Sequence, residues 1–314
     1  MKIAYLILCH DDPMFVRRVS VKLTEKTENH VFIHVDAKQS ILEFTECLGE
    51  LKNIHLLKSR IPVFWGGMNS IRATVKLFEA SCMREEKFDR YVLLQGHDYP
   101  IKNNEEIEDF FKSHMDIEFI KAISETWSSD NKILGRYILK WHKDSSSTFA
   151  KAYNRVNFEI EKHWPLKFPN PKVKIDGKNC EIFRGWAQIA LTDKAVRYIL
   201  DFYKSHPKYN EFFQHVYAAD ESYFHTIIYN SPFRKYTADK GEVVKEKDRC
   251  VETLLNLTYF EYPGQVRIFT KKEEFEFLRS KADYLFFRKA SSKSEELLNC
   301  IDWYHENELS SNSN

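Results

Sequence analysis

The sequence predicts an α/β protein with a mainly parallel central sheet, and three observations carry that expectation. Short runs rich in branched apolar residues recur through the first half of the chain: Ile3–Cys9, Val31–Val35, Ile54–Leu57, Tyr91–Leu94 and Ile117–Ile120. They are apolar along their length instead of alternating, as expected of strands covered on both faces. Stretches with helical spacing lie between them, and this alternation is the pattern of a sheet layered with helices. Polar residues gather where the strands end.

Taken in order, Ile3–Cys9 reads as a buried first strand and Pro13–Leu23 as the helix after it. Asn69–Met83 places Ile71, Val75, Phe78 and Cys82 on one stripe, and Asn104–Ser113 reads as a further helix. In the second half, the Thr192 hydroxyl is suited to cap a helix carrying Ala195, Val196, Ile199 and Leu200. Another helix is expected over Asp220–Asn230, and Thr270-Lys-Lys-Glu273 reads as a capping box opening a third. Ser70 is placed to cap the helix after Gly67. Leu166–Lys178, near Pro165, Pro169, Pro171 and Gly177, reads as a loop ahead of a strand at Cys180–Phe183. No repeat or long linker divides the chain. A single domain is expected over residues 1–305, in which 241–300 complete one side of the site, followed by a polar tail at 306–314.

Composition narrows the function classes. Of 314 residues, 43% are hydrophobic and 15% aromatic, which excludes a disordered or low-complexity chain. Lys plus Arg number 47 against 46 Asp plus Glu, so no bulk field draws nucleic acid. The six cysteines are scattered without Cys-x-x-Cys spacing, which suits free thiols in a reducing compartment. The apolar run at the start is too short for a signal peptide or a membrane span. A soluble, cytoplasmic protein is the expectation.

In open α/β sheets ligands bind beyond the carboxyl ends of the strands. Four exits stand out: His10-Asp11-Asp12, Asp36 in His34-Val35-Asp36, Trp65-Gly66-Gly67, and Gln95-Gly96-His97-Asp98. Together they outline a polar pocket. With period-two alternation His34 and Asp36 share one strand face. An aspartate there can accept from a ribose hydroxyl or a nucleobase N–H, or it can cap a turn. Trp65 can pack on a sugar or base face, with Gly66 and Gly67 letting backbone come close, or it can be a half-buried turn residue. Counting His30, the local histidine density matches no zinc spacing, and no metal site is expected.

The stretches AYLILCHDDP, HVFIHVDAK, VFWGGMNSIRATVKLF, YVLLQGHDYPIK, GWAQIALTDKAVRYIL, AADESYFHTIIYNSP, TYFEYPGQVRIFT and LFFRKAS, spanning residues 4 to 290, resemble glycosyltransferase family 14 in this order. That family comprises the core-2/I-branching enzymes and peptide O-xylosyltransferases. The resemblance implies a GT-A-type fold, a UDP-sugar donor, inversion at the anomeric carbon, and no divalent metal or other cofactor. It places His10 and Asp36 in the uridine pocket, Glu221 as catalytic base, Lys289 with Arg288 on the diphosphate, and Tyr259 on the acceptor side. Trp186, in Phe183-Arg184-Gly185-Trp186, falls beside the donor sugar. Eukaryotic members carry an N-terminal membrane span and luminal disulfides, to which this sequence shows no counterpart. A bacterial member, at most peripheral on the inner face of the membrane, is therefore implied, acting on a glycan or glycolipid acceptor in surface polysaccharide assembly.

The sequence also departs from the family. Its second phosphate-binding basic residue falls near Gly264–Arg267, which makes Arg267 the candidate. The Arg-Lys-Phe-Asp pattern is reduced to Arg288-Lys289-Ala290-Ser291, and an acceptor-side tryptophan aligns with Leu257.

The chemistry agrees with metal-free transfer. Charge developing on a leaving diphosphate must be neutralised by a metal or by fixed cations. No Asp-x-Asp triplet occurs, and the exit where one belongs holds a single carboxylate, Asp98. An inverting transfer needs one carboxylate to take the acceptor proton. Glu221 is the candidate, with Asp220 beside it read as a cap, although acids also favour helix starts for the dipole alone. Arg136 is a candidate acceptor contact, and Trp141, Tyr153 and Trp164 could form an acceptor platform or merely pack. Two rival readings stay open: a metal-dependent transferase using Asp98 or Asp36, and a glycan- or nucleotide-binding protein without catalysis. The transferred sugar is expected to be N-acetylglucosamine or xylose.

Overall fold

A computed structural model describes residues 1–49, 51–245, 250, 252–262 and 266–311. In chain order the elements are β1 (Ile3–Cys9), α1 (Pro13–Thr24), β2 (His30–Val35), α2 (Ile41–Leu48), β3 (Ile54–Leu56), α3 (Asn69–Cys82), β4 (Arg90–Gln95), β5 (Asp98–Pro100), α4 (Asn104–Ser113), β6 (Ile123–Ser124), α5 (Asn131–Ile138) and α6 (Thr148–His163). They continue with β7 (Val173–Ile175), β8 (Lys178–Cys180), β9 (Phe183–Arg184), β10 (Ala190–Thr192), α7 (Asp193–Ser205), α8 (Pro207–Phe213), α9 (Tyr223–Tyr229), β11 (Thr258–Tyr259), α10 (Glu274–Arg279), β12 (Phe286–Arg288) and α11 (Glu295–Ser311).

Five strands form the main sheet in the order β10-β4-β1-β2-β3, parallel except for β10. The strand alternation of β1 divides its side chains between two cores. Ile3, Tyr5 and Ile7 pack with Phe15, Val19 and Leu23 of α1, whereas Ala4 and Leu6 pack with Ile71, Val75 and Phe78 of α3 and Ile199 of α7. Both faces are thereby covered, which is why these strands lack a polar face. A three-stranded sheet, β11-β12-β5, joins the C-terminal segment to the exit of β4.

Local signals behave as the residues dictate. Asp12 accepts from the Phe15 N–H and opens α1, Asn103 and Glu106 form a capping box on α4, and Thr192 caps α7 through the Ala195 N–H. Elsewhere the fold departs from the sequence expectation. Ile117–Ile120 forms no strand: Glu118 and Phe119 make only single bridges, to Thr237 and Ala190. Glu118 is instead a buried carboxylate accepting from the Thr192 N–H and hydroxyl. Thr270 does not cap α10; the Glu274 carboxylate accepts from the Thr270 and Lys271 N–H groups in its place. Ser70 lies inside α3, its hydroxyl donating to the Gly67 carbonyl. Asp220–Asn230 is split between a short 3-10 turn at Ala219–Glu221 and α9. The expected loop at 166–178 contributes a strand to the β7–β8 hairpin. At the end, α11 runs on through residues 306–311 of the segment expected as a tail, and 312–314 lie outside the described residues. No described helix is long and apolar enough to cross a membrane.

Two histidines are held neutral by burial, His225 with its pKa driven down to about 3 and His55 to about 4. Because both lie below the ordinary 6.5, the unfolded chain takes up protons first as pH falls. Their contribution to stability is complete above about pH 6.5 and is lost progressively as pH drops through about 4 and then 3. Melting temperatures in buffers of matched ionic strength should therefore hold near neutrality and decline steadily on the acid side. A profile flat down to pH 4 would contradict this assignment.

Candidate functional site

The parallel strands β1, β2 and β4 end side by side, and a cavity of about 470 Å³ opens over those ends. Its wall takes Cys9 and His10 after β1, His34, Asp36 and Lys38 around the end of β2, and Val63 to Gly66 ahead of α3. Gln95 comes from β4, Asp220 from the turn before α9, and Arg288 and Lys289 from the end of β12. Crossover connections force the chain to leave every parallel strand on the same side, so residues far apart in sequence meet there.

Asp36 is buried and already employed. Its Oδ1 accepts from the Lys38 N–H at 2.9 Å and the Val63 N–H at 3.2 Å, while Lys38 Nζ sits 3.1 Å from Oδ2. It caps the turn after β2 and ties down the segment leading to Trp65. His34 Nε2 accepts the Ile61 N–H at 2.9 Å, which assigns the ring proton to Nδ1. Nδ1 is buried with no hydrogen-bond partner among the described residues, and burial lowers the ring's pKa. A buried donor in a ligand-sized cavity is a specificity element in waiting. The histidine-aspartate alternation pointed to this face, but the Ile61 contact lies outside any local pattern.

Trp65 is 71% exposed at the rim, edge-on to Tyr217 at 5.4 Å, with Lys143 Nζ 5.3 Å from its ring centre. Gly66 holds φ at 76°, and its carbonyl accepts the Ala218 N–H at 2.9 Å. Behind Tyr217 stands Trp141, which is fully buried and packs at 5.0 Å. Trp141 therefore belongs to the core and not to an acceptor platform, while Tyr153 and Trp164 are partly exposed on and just after α6.

The basic end of β12 is anchored. Arg288 Nη1 donates to Asp98 Oδ1 at 2.7 Å, and the other oxygen of Asp98 accepts the Gln95 N–H at 2.8 Å. Asp98 is 1% exposed and sits behind Arg288, not on the cavity wall. Lys289 lies on the wall, its pKa lowered by burial and then by neighbouring Arg288. Its backbone is clamped by the Phe269 N–H to its carbonyl and by its own N–H to Arg267.

On the acidic side, Asp220 lines the cavity, and burial raises its carboxyl pKa. Glu221 is not on the wall; its carboxylate pairs with Arg184 Nη2. Arg184 also lies 3.9 Å from Glu125, a buried carboxylate that accepts from the Tyr137 hydroxyl at 2.6 Å and neighbours Arg136 at 3.4 Å. Gly185 makes this assembly possible. A Cβ there would fall 2.1 Å from the Lys121 carbonyl and 2.6 Å from His225 Nε2, and the Gly185 N–H donates to the Glu221 carbonyl at 2.8 Å.

The cavity thus collects His10, Asp36, Trp65, Gly66, Arg288 and Lys289, all foreseen, and adds His34, Lys38 and Asp220. Asp98, Glu221, Trp186, Tyr259, Arg267 and Arg136 lie off its wall. Arg267 is paired with both Glu261 and Glu274, Tyr259 donates to Glu261 at 3.0 Å, and Trp186 packs edge-on against Phe260 at 4.9 Å. Gly264 falls outside the described residues.

Comparison with known proteins follows the same lines. The family model described as Core-2/I-Branching enzyme matches residues 3–244. Xylosyltransferase 2 of Rattus norvegicus is 24% identical over 244 residues, and Xylosyltransferase 1 of Canis lupus familiaris is 23% identical over 243; each match takes in 74% of this chain. The chain spans about a quarter of the length of the curated relatives it matches (25% and 23% for these two). The crystal structure of mouse Xyloside xylosyltransferase 1 in its apo form aligns over 91% of this chain and 97% of that one, at 10% identity and a TM-score of 0.36.

Removing the Arg288 charge strands a buried carboxylate. Arg288→Met should cost about 3–5 kcal/mol of stability, the usual penalty for breaking a buried pair from one side. Double substitution of Arg288→Met with Asp98→Asn should recover much of that loss in denaturant titrations. Equal losses in the single and double variants would show the pair to be uncoupled.

Proposed function

This chain belongs to the core-2/I-branching enzyme family, and from that premise we propose that it transfers a sugar from a UDP-sugar to a glycan hydroxyl with inversion and without a divalent metal in turnover. The observation that supports this best is the convergence of Arg288 and Lys289 with the exits of β1, β2 and β4 on one cavity. In this reading His10, His34 and Asp36 hold the nucleoside, and the two cations take the diphosphate charge as the bond to the sugar breaks. Fixation of Arg288 by Asp98 keeps that charge in place before the substrate arrives. Asp98 and Asp36 make poor metal ligands here, since their oxygens accept from Arg288, Gln95, Lys38 and Val63.

The acceptor hydroxyl attacks the anomeric carbon from the face opposite the diphosphate, and a carboxylate takes its proton. We assign that base to Glu221, which Arg184 orients and which must exchange this partner for the acceptor. A second reading gives the role to Asp220, favoured by its place on the cavity wall and its raised pKa. The names of the relatives support xylose as the sugar, with N-acetylglucosamine, which the sequence resemblance implied, as the alternative. Six free thiols fit a reducing compartment, in keeping with glycan assembly on the inner side of a bacterial membrane.

UDP-xylose or UDP-N-acetylglucosamine should raise the melting temperature, equally with and without EDTA. Release of UDP on adding a glycan acceptor should persist in EDTA, and its loss there would sink the metal-free mechanism. Glu221→Gln should lower kcat by roughly 10²–10⁴-fold while leaving the UDP dissociation constant unchanged. If Asp220→Asn does so instead, the second reading holds. Lys289→Ala should weaken UDP binding at least tenfold, and unchanged affinity would remove the cations from the mechanism. Nucleotide binding with no transfer to any acceptor would favour a binding protein.

A further inference from the structure

Beside the cavity, outside the machinery just described apart from His10, three side chains converge in a way the transfer reaction does not require. His10 and Asp11 follow β1 and His97 follows β4; because these strands are adjacent and parallel, their exits lie next to each other. One ligand atom from each of the three lies within 4.8 Å of the others. His97 Nε2 is 3.1 Å from Asp11 Oδ1, and His10 Nε2 is 3.6 Å from Asp11 Oδ2. The two contacts reach different oxygens of Asp11, so the carboxylate lies between the two imidazoles.

The second imidazole nitrogen supplies an independent observation. His97 Nδ1 lies 2.9 Å from the Ala290 carbonyl, to which it donates, and Nε2 faces Asp11 Oδ1 at 3.1 Å, a gap that either a proton or a metal ion would bridge. A ligating histidine is normally oriented in this way, its outer N–H donated to a backbone carbonyl. The Ala290 N–H in turn donates to the His97 carbonyl at 2.9 Å, fixing the backbone that carries the ring. Ordinary solvated histidines have no such fixing, and the side chain of His97 is only 18% exposed.

We propose that His10, Asp11 and His97 form a binding site for a divalent transition metal of the Zn²⁺ class. Two imidazoles and one carboxylate suit Zn²⁺, Co²⁺ or Fe²⁺ far better than Mg²⁺ or Ca²⁺, which prefer all-oxygen shells. Three protein ligands leave at least one coordination position for water. Lys289 and Arg288 stand on the neighbouring wall, so their charge works against the cation and Asp11 works for it. An occupied site would staple the β1 exit, the β4 exit and the Ala290 segment together, stiffening three sides of the cavity. The cations at the end of β12 remain the diphosphate partners, so the metal is not a participant in the bond-breaking step.

Titration of the full chain with CoCl₂ in the absence of nucleotide tests this directly. One Co²⁺ per chain should bind with visible d–d bands of a low-coordinate site, and added Zn²⁺ should displace it. His97→Ala, His10→Ala and Asp11→Asn should each weaken binding at least tenfold, while His163→Ala, a surface control paired only with Glu159, should leave it unchanged. Circular dichroism of each variant checks that the fold is kept. Absence of the bands, or binding undiminished in His97→Ala, for instance at the exposed Cys250, would overturn the proposal. Since no nucleotide enters the experiment, such a failure leaves the donor-cleft reading untouched.

Discussion

The site depends on one buried ion pair, Arg288 with Asp98, between residues 190 positions apart. Its carboxylate serves two masters. One oxygen receives the guanidinium at the end of β12, and the other receives the Gln95 N–H that closes the turn after β4. The same carboxylate therefore shapes a strand exit of the main sheet and pins the C-terminal sheet against it. A buried pair of this kind adds little net stability, because both charges lose their hydration. What it supplies is position: it fixes the Arg288 side chain at the basic end of β12, whose backbone is held by β5, Phe269 and Arg267. Tyr99, next in sequence, extends the same docking by donating to Asp302 of α11 at 2.7 Å.

A second charged assembly works on the opposite side, and its logic is different. Glu125 is fully buried and draws in Tyr137, Arg136 and Arg184, while Arg184 reaches on to Glu221. Adjacent acids in one 3-10 turn thus meet separate surroundings. Asp220 faces the cavity with burial opposing its ionisation, and Glu221 turns away to pair with the Arg184 guanidinium. Neighbouring carboxylates with divergent environments are the usual means of dividing acid and base duties. Gly185 permits the close packing beneath them, since any side chain there would collide with Lys121 and His225.

Legibility in the sequence followed the range of the forces involved. β1, β2, β4, α1, α3 and α4 matched their expected bounds within a residue or so, because hydrophobic period and caps are local properties. Ile117–Ile120 looked like a strand for the same reason, yet it found no continuous partner and its Glu118 was recruited by Thr192. The strand-exit rule pointed to His10, Asp36, Trp65 and Gly66, the family resemblance added Arg288 and Lys289, and all six lie on a common wall. Asp98, a strand-exit residue, is turned inward by Arg288, and Arg267, which the resemblance suggested, is paired with Glu261 and Glu274 off the wall. No spacing within the chain announces a partner almost two hundred residues away. His10 and His97 match no zinc spacing because their meeting is a product of strand order, not of sequence distance.

Electrostatics now link the pieces. Arg288 is neutralised from behind by Asp98, whereas no ion pair within 4.0 Å engages Lys289 among the described residues. Burial together with the nearby guanidinium lowers the lysine's pKa, so its charge is held at some cost. A bound dianion would relieve that cost, which converts the strain of two adjacent cations into affinity for the leaving group. In the reading proposed above, the diphosphate would gain charge as its bond to the sugar breaks, so this relief would be largest in the transition state and would raise rate as well as binding.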